Sequence, residues 1–207
     1  MKTQEKKRKQ AQRTDKKVEE SLSYMVEVTD KEGQVLQRIS APSRSYVEQW
    51  NQIVNVHADQ VEKQARDTDG DIHTVILSAA NFRANAGIGV TSYSLRVGKG
   101  TTAVAITDYA LETPCEEGTS TDQFEHQLTH FTEPSVIGST CSFTISRTMI
   151  NNSGATITGI KEIGCYVYAL AGAGTMAYMG FRDVLPSPVY VPDGGSITVT
   201  YTLKVTV

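Results

Sequence analysis

The last twelve residues, Ser196-Ile-Thr-Val-Thr-Tyr-Thr-Leu-Lys-Val-Thr-Val207, alternate apolar and polar side chains without interruption. That period of two predicts a strand with one buried face. It follows Pro192-Asp-Gly-Gly195, a turn whose proline fixes the approach and whose glycines permit positive φ. The run from Arg182 to Val191 is extended as well, and β-rich segments precede it at Phe124 to Phe131, Cys141 to Ile150, Ile157 to Ile160 and Gly164 to Leu170. Asn-Asn-Ser-Gly and Gly-rich connections separate them, giving six or more antiparallel candidates at the spacing of a two-sheet fold.

Nearer the amino terminus, Ser21 to Thr29 and Gln34 to Ile39 flank Asp30-Lys-Glu-Gly33, which reads as a hairpin. After Ala41-Pro-Ser43 the period changes. Tyr46, Val47, Trp50, Ile53, Val54, His57 and Val61 recur three or four residues apart, predicting a helix capped by Ser43 or Ser45 and running through Arg66. Trp50, the single tryptophan, is its expected anchor on the sheet. Asp67-Thr-Asp-Gly-Asp71 reads as a helix-stopping turn, Ile72 to Leu77 as a short strand, Ser78 to Ser92 as a loop, and Tyr93 to Val97 as another strand. Asp108 to Leu111 is expected to form one helical turn. The fold expected is mainly β: a jelly-roll-like antiparallel β-sandwich over residues 67–207, a hairpin and helix module over 21–66, and a basic arm over 1–20.

Charge adds the arm to this picture. Residues 1–17 carry eight cations (Lys2, Lys6, Lys7, Arg8, Lys9, Arg13, Lys16, Lys17) against Glu5 and Asp15, a balance of +6. The whole chain stands at −3, which leaves −9 for the remainder. With almost nothing apolar to bury, the arm cannot offset the roughly 1–2 kcal/mol per residue that ordering a backbone costs, so it is expected to be mobile until a partner holds it. Lys6, Lys7, Arg8, Lys9, Arg13, Lys16 and Lys17 are therefore the candidate partner-binding residues. They can dock into an acidic groove on another protein, touch the phosphates of a nucleic acid, or serve only as a solubilising tail.

No pattern calls for catalysis or a cofactor. Val97-Gly-Lys-Gly-Thr-Thr102 has the wrong spacing for a phosphate-binding loop, and its glycines suit a tight turn. Counted from Asp67 as a calcium loop, the twelfth position is Ser78 where a bidentate Glu is required. His126 and His130, near Glu125 and Glu133, would sit about 13 Å apart on one strand face, too far for one ion, and are expected on a solvated or interface face. Cys115, Cys141 and Cys165 match no zinc or redox spacing, and the acidic neighbours of Cys115 disfavour a reactive thiol. No apolar run approaches a membrane span, so the expectation is a soluble chain made in a reducing cytoplasm, with no enzymatic activity, metal or cofactor.

Several segments carry a resemblance. Arg96-Val-Gly-Lys-Gly-Thr-Thr-Ala-Val-Ala-Ile-Thr-Asp-Tyr-Ala-Leu-Glu112 is similar to a "V/I-G-x-G-T-T-A-x-x-x-x-D-x-A-L" element of tailed-bacteriophage virion proteins. Val26 to Val35 with Ser43 to Trp50, Thr144 to Gly154, Ile163 to Tyr166 and Leu185 to Thr202 resemble the opening, the "R-x-x-x-N-N-S/T-G" turn and the closing section of such proteins. The resemblance spans about residues 24–207 and omits the basic arm. It implies a virion structural component in the tail, neck or capsid-associated region, assembled in several copies with itself and other virion proteins. A receptor- or glycan-binding module of a tail fibre is the alternative.

Overall fold

The computed structural model describes residues 19–43, 46–47, 49–50, 53, 63–76, 83–133, 135–172 and 174–206. The protein is mainly β, with almost no helix among the described residues, and its strands form two sheets, one of them curled. The first is built on β1 (Glu19–Thr29), β10 (Thr140–Ile150) and β13 (Ser196–Thr206), with β13 between the other two and antiparallel to both over its full length. The alternation of the last strand has the predicted effect. Ile197, Val199 and Tyr201 are buried opposite Val28, Val26 and Tyr24 of β1, and fully burying such side chains contributes about 1.5–3 kcal/mol each. The other face carries a row of hydroxyl pairs: Thr29 with Ser196 at 3.0 Å, Thr148 with Thr198 at 2.8 Å, and Thr140 with Thr206 at 2.9 Å.

β2 (Val35–Pro42) closes one side of this sheet by pairing with β1. The predicted hairpin is present: Asp30 Oδ1 accepts the amides of Glu32 and Gln34, and Gly33 takes φ +82°, a region that favours glycine. Because β1 is bonded to β13 over eleven residues, the hairpin is continuous with the sheet of the later chain. On the far side of β10 three short strands follow in succession: β9 (Ser135–Ile137), β8 (His130–Phe131) and β7 (Gln123–His126). β6 (Glu116–Glu117) adds to β7 in parallel, the one departure from antiparallel pairing among the described residues.

The second sheet centres on β11 (Ile157–Ala171), which merges two runs that the sequence suggests as separate strands. β12 (Gly174–Val191) pairs along one edge of it, while β5 (Ser94–Gly98) and β4 (Ile72–Val75) share the other. Ile163, Cys165, Val167 and Phe181 of this sheet share one buried core with Val26, Ile145 and Tyr201 of the first. The Phe181 and Tyr201 rings meet edge to face, 4.6 Å between centroids, and Trp50 reaches Phe181 at 5.6 Å, so the tryptophan does anchor its segment on the sheet.

Three expectations are corrected. The helix does not run from Ser43 or Ser45 through Arg66: Tyr46 bridges to Phe181 as extended chain, helix is seen at Gln49–Trp50 and Ile53, and Lys63–Arg66 is a strand, β3, paired with β4. Lys-Gln-Ala-Arg has no β propensity, but pairing with Ile72–Val75 buries Ala65 and satisfies its backbone, which outweighs the local preference. Val54, His57 and Val61 lie outside the described residues. Asp67-Thr-Asp-Gly-Asp71 is consequently a hairpin turn, with Asp67 Oδ1 accepting the amides of Asp69 and Asp71. Asp108 to Leu111 makes no helical turn, because Asp108 and the Leu111 amide are engaged by distant strands.

Candidate functional site

The segment between β5 and β6, residues 99–115, has no strand or helix, yet it is fixed by charges buried beneath it. Glu162 on β11 and Arg182 on β12 are almost wholly excluded from solvent. Glu162 Oε1 accepts the amides of Gly100 (3.0 Å) and Thr113 (2.7 Å), while Oε2 accepts the Glu112 amide (3.0 Å) and faces Arg182 Nε and Nη2, both at 3.0 Å. Arg182 Nη1 donates to Asp108 Oδ2 at 2.9 Å. Glu112 Oε2 in turn accepts the amides of Thr101 and Thr102, which holds its carboxyl below the ordinary carboxylate range. Tyr166 Oη accepts the Leu111 amide at 2.8 Å. Two carboxylates and a tyrosine hydroxyl thus accept the amides of a loop that belongs to no sheet, and the guanidinium compensates the carboxylates.

This arrangement explains the glycines in Val97-Gly-Lys-Gly100. A Cβ on Gly98 would lie 2.5 Å from Glu162 Oε1 and from the Thr113 carbonyl, and one on Gly100 would lie 2.6 Å from Glu162 Oε1. Bare backbone at both positions lets the carboxylate approach. The loop's tip is exposed, with Ile106 at 61% and Tyr109 at 40% of their possible surface, and Tyr109 lies under the Arg66 guanidinium.

A second buried cluster underlies the connection between β4 and β5. Arg147 on β10 has no exposed surface and donates only to backbone carbonyls: Gln127 (2.8 Å), Gly87 (3.1 Å), Val90 (2.6 Å) and Leu95 (3.4 Å). Burial brings its pKa down to about 10. Beside it His126, also fully buried, turns Nδ1 toward Glu117 Oε2 (2.8 Å) and the Phe124 carbonyl (3.1 Å), so Nδ1 carries the proton and Nε2 is left without a partner among the described residues. Burial depresses the His126 pKa, against the opposing pull of Glu117.

These positions revise the candidates read from the sequence. His126 and His130 do not share a solvated face: the strand breaks at residues 127–129, where Arg147 takes the Gln127 carbonyl and the Thr129 amide bonds to Ala86, leaving His126 buried and His130 exposed. Cys115 is buried, and desolvation pushes its thiol up to about 12, a stronger reason for inertness than its acidic neighbours. Among the described residues no three His, Cys, Asp or Glu side chains are grouped to hold a metal ion, and no helix is long and apolar enough to cross a membrane. Lys6, Lys7, Arg8, Lys9, Arg13, Lys16 and Lys17 lie outside the described residues. The sequence reading missed Glu162, Arg182 and Arg147. Their one signal is a charge set inside an apolar strand pattern, as in Ile160-Lys-Glu-Ile163.

The surface is distinctive at the outer side of β10. β9 and β8 form an edge whose only strand partner among the described residues is β10. Val136 and Ile137 are 72% and 80% exposed there, with Phe131 of β8 at 48%. No protein-family model matches the chain, no curated protein matches it, and no solved structure matches its fold.

Proposed function

We propose that this chain is a structural, non-enzymatic subunit of a tailed-bacteriophage virion, made in the bacterial host cytoplasm and assembled in several copies in the tail, neck or capsid-associated region. In this reading the two sheets are the halves of a jelly-roll-like β-sandwich. The observation that carries the assembly reading is the open β9–β8 edge. Consecutive Val136 and Ile137 project to opposite faces of a strand, so both faces of β9 are apolar, and β9 itself carries no charged side chain. Such an edge is suited to burial against another copy or another virion protein. The virion assignment itself rests on the sequence resemblance, above all the Val97-Gly-Lys-Gly-Thr-Thr-Ala103 element, and the basic arm supplies a second contact, to a neighbouring subunit or packaged DNA.

Light scattering of the full chain at micromolar concentration is expected to report a defined oligomer. A Val136→Lys/Ile137→Lys double variant should be smaller while melting at the same temperature. A monomeric wild type would remove the basis for the proposal. Deleting residues 1–17 should leave folding intact and abolish incorporation into particles; normal incorporation would discard the arm as a docking element.

A further inference from the structure

The main core claims one face of β11, through Ile163, Cys165, Val167 and Ala169. The opposite face carries Tyr166 and Tyr168, and it is only partly covered. The pinned loop seats Leu111 on Tyr166 and Met179, with Val47 and Tyr93 beside them. Beyond that cover the face opens into a cleft of about 500 Å³, within the roughly 300–1,000 Å³ range of small-molecule sites. Its floor is Tyr168 and Thr175 on the paired strands, one wall is Thr68 and Asp69 of the β3–β4 turn, and the other is Thr91 and Ser92. The walls are fixed. Tyr168 Oη donates to Ser92 Oγ at 2.7 Å, the Tyr93 ring stacks on Tyr168 at 4.1 Å, Arg83 lies 5.4 Å from the Tyr168 centroid, and the Thr68 amide bonds to the Ala177 carbonyl.

We propose that this cleft binds a hydroxyl-rich saccharide. The chemistry of the lining selects that class. Hydroxyls from Thr68, Thr91, Ser92 and Thr175, together with the Asp69 carboxylate, offer many short-range donors and acceptors around a tyrosine floor, which suits a ring with polar edges and C–H faces. A phosphate or sulfate would be repelled by the Asp67 and Asp69 carboxylates of the lining and would need a cation free to offset them. The Arg96 group in the lining already donates to the Cys115 carbonyl at 2.8 Å and pairs with Glu116 at 3.0 Å. An acyl chain could meet Leu111, Pro114 and Met176 but would strip water from the hydroxyls and the Asp69 carboxylate without replacing their hydrogen bonds. The inference goes beyond the assembly reading and stands or falls separately, since the β9–β8 edge belongs to the other sheet.

The test uses the full chain on an array of neutral and acidic oligosaccharides, followed by titration calorimetry with whichever is retained. Asp69→Ala removes an exposed carboxylate, and Thr175→Trp fills the cleft from an exposed position on its floor. Both variants should melt as the wild type does and bind the retained saccharide at least tenfold more weakly. The Val136→Lys/Ile137→Lys variant should bind at wild-type affinity per chain. Absence of any retained saccharide overturns the proposal, and so does retention that Asp69→Ala and Thr175→Trp leave unchanged.

Discussion

The two buried polar clusters solve one problem with opposite electrostatics. Each pins a long connection that lies outside the strands of either sheet. Around Glu162 the charges are compensated, since Arg182 lies between Glu162 and Asp108 and the carboxylates take up the loop amides. Around Arg147 the partners of the cation are backbone dipoles, and the neighbouring His126 is neutral, with its bare Nε2 turned to the interior. The contrast shows that a buried charge can serve by its field or by its hydrogen-bonding capacity. Removing one partner therefore has different consequences in the two places.

The largest effect is expected at Glu162. Glu162→Ala leaves Arg182 buried with half its compensation and strips the amides of Gly100, Glu112 and Thr113 of their acceptor. Breaking a buried pair from one side costs about 3–5 kcal/mol. Urea unfolding should show that loss, and limited proteolysis should cut first between residues 99 and 113. Asp108→Ala, on a half-buried carboxylate, should cost less; an equal loss would mean that the compensation is not centred on Glu162.

Arg147→Met ranks next. The four carbonyls it serves lose a charged donor, but no ion is left unpaired, so the cost is expected to be about 2–3 kcal/mol, the scale of hydrogen bonds to charged groups. The loss should concentrate in faster amide exchange across residues 87–95 and leave the 99–113 loop protected. Loosening of both loops together would show that the clusters are not independent.

The contrast also explains what the sequence does and does not disclose. β13 and the β1–β2 hairpin are legible because strict alternation and an Asp-to-Gly turn are local signals, readable within a dozen residues. β3 is hidden, since Lys63-Gln-Ala-Arg66 becomes a strand only by pairing with β4, and its composition favours a helix. The glycines at 98 and 100 are visibly anomalous, yet the carboxylate that requires them lies 62 residues from Gly100 along the chain. No spacing rule links them. His126 illustrates the same limit: its alternation with Phe124 and Leu128 is consistent with either face, and the break that buries it is imposed by Arg147, a residue of another strand.

His126 sharpens the comparison through pH. Its folded pKa is depressed by burial below the ordinary value of 6.5, so the unfolded chain binds the proton more readily. The stabilisation tied to the neutral ring is complete above the unfolded pKa and is lost as pH falls through 6.5 toward the folded value. The groups facing the ring enter with known sign: Arg147 and Arg96 disfavour its protonation and Glu117 favours it. Urea midpoints between pH 7.5 and 5 should fall for the wild type and fall less for His126→Asn, whose amide can still donate toward Glu117. Equal slopes would assign the acid sensitivity to carboxylates elsewhere, including those around Glu162.

The smallest expected effect concerns the hydroxyl row on the outer face of the first sheet, where polar groups are linked without any loop to pin. Thr198→Val keeps the β-branched shape and removes the 2.8 Å bond to Thr148. Thr148 is half-buried, so water can replace the lost partner, and the cost should be about 0.5 kcal/mol, within the range of cross-strand pairs. A loss several times larger, read from the same urea curves, would mean that this face is closed to water by packing against another copy. In that case the row of hydroxyls would join the β9–β8 edge in the proposed assembly surface.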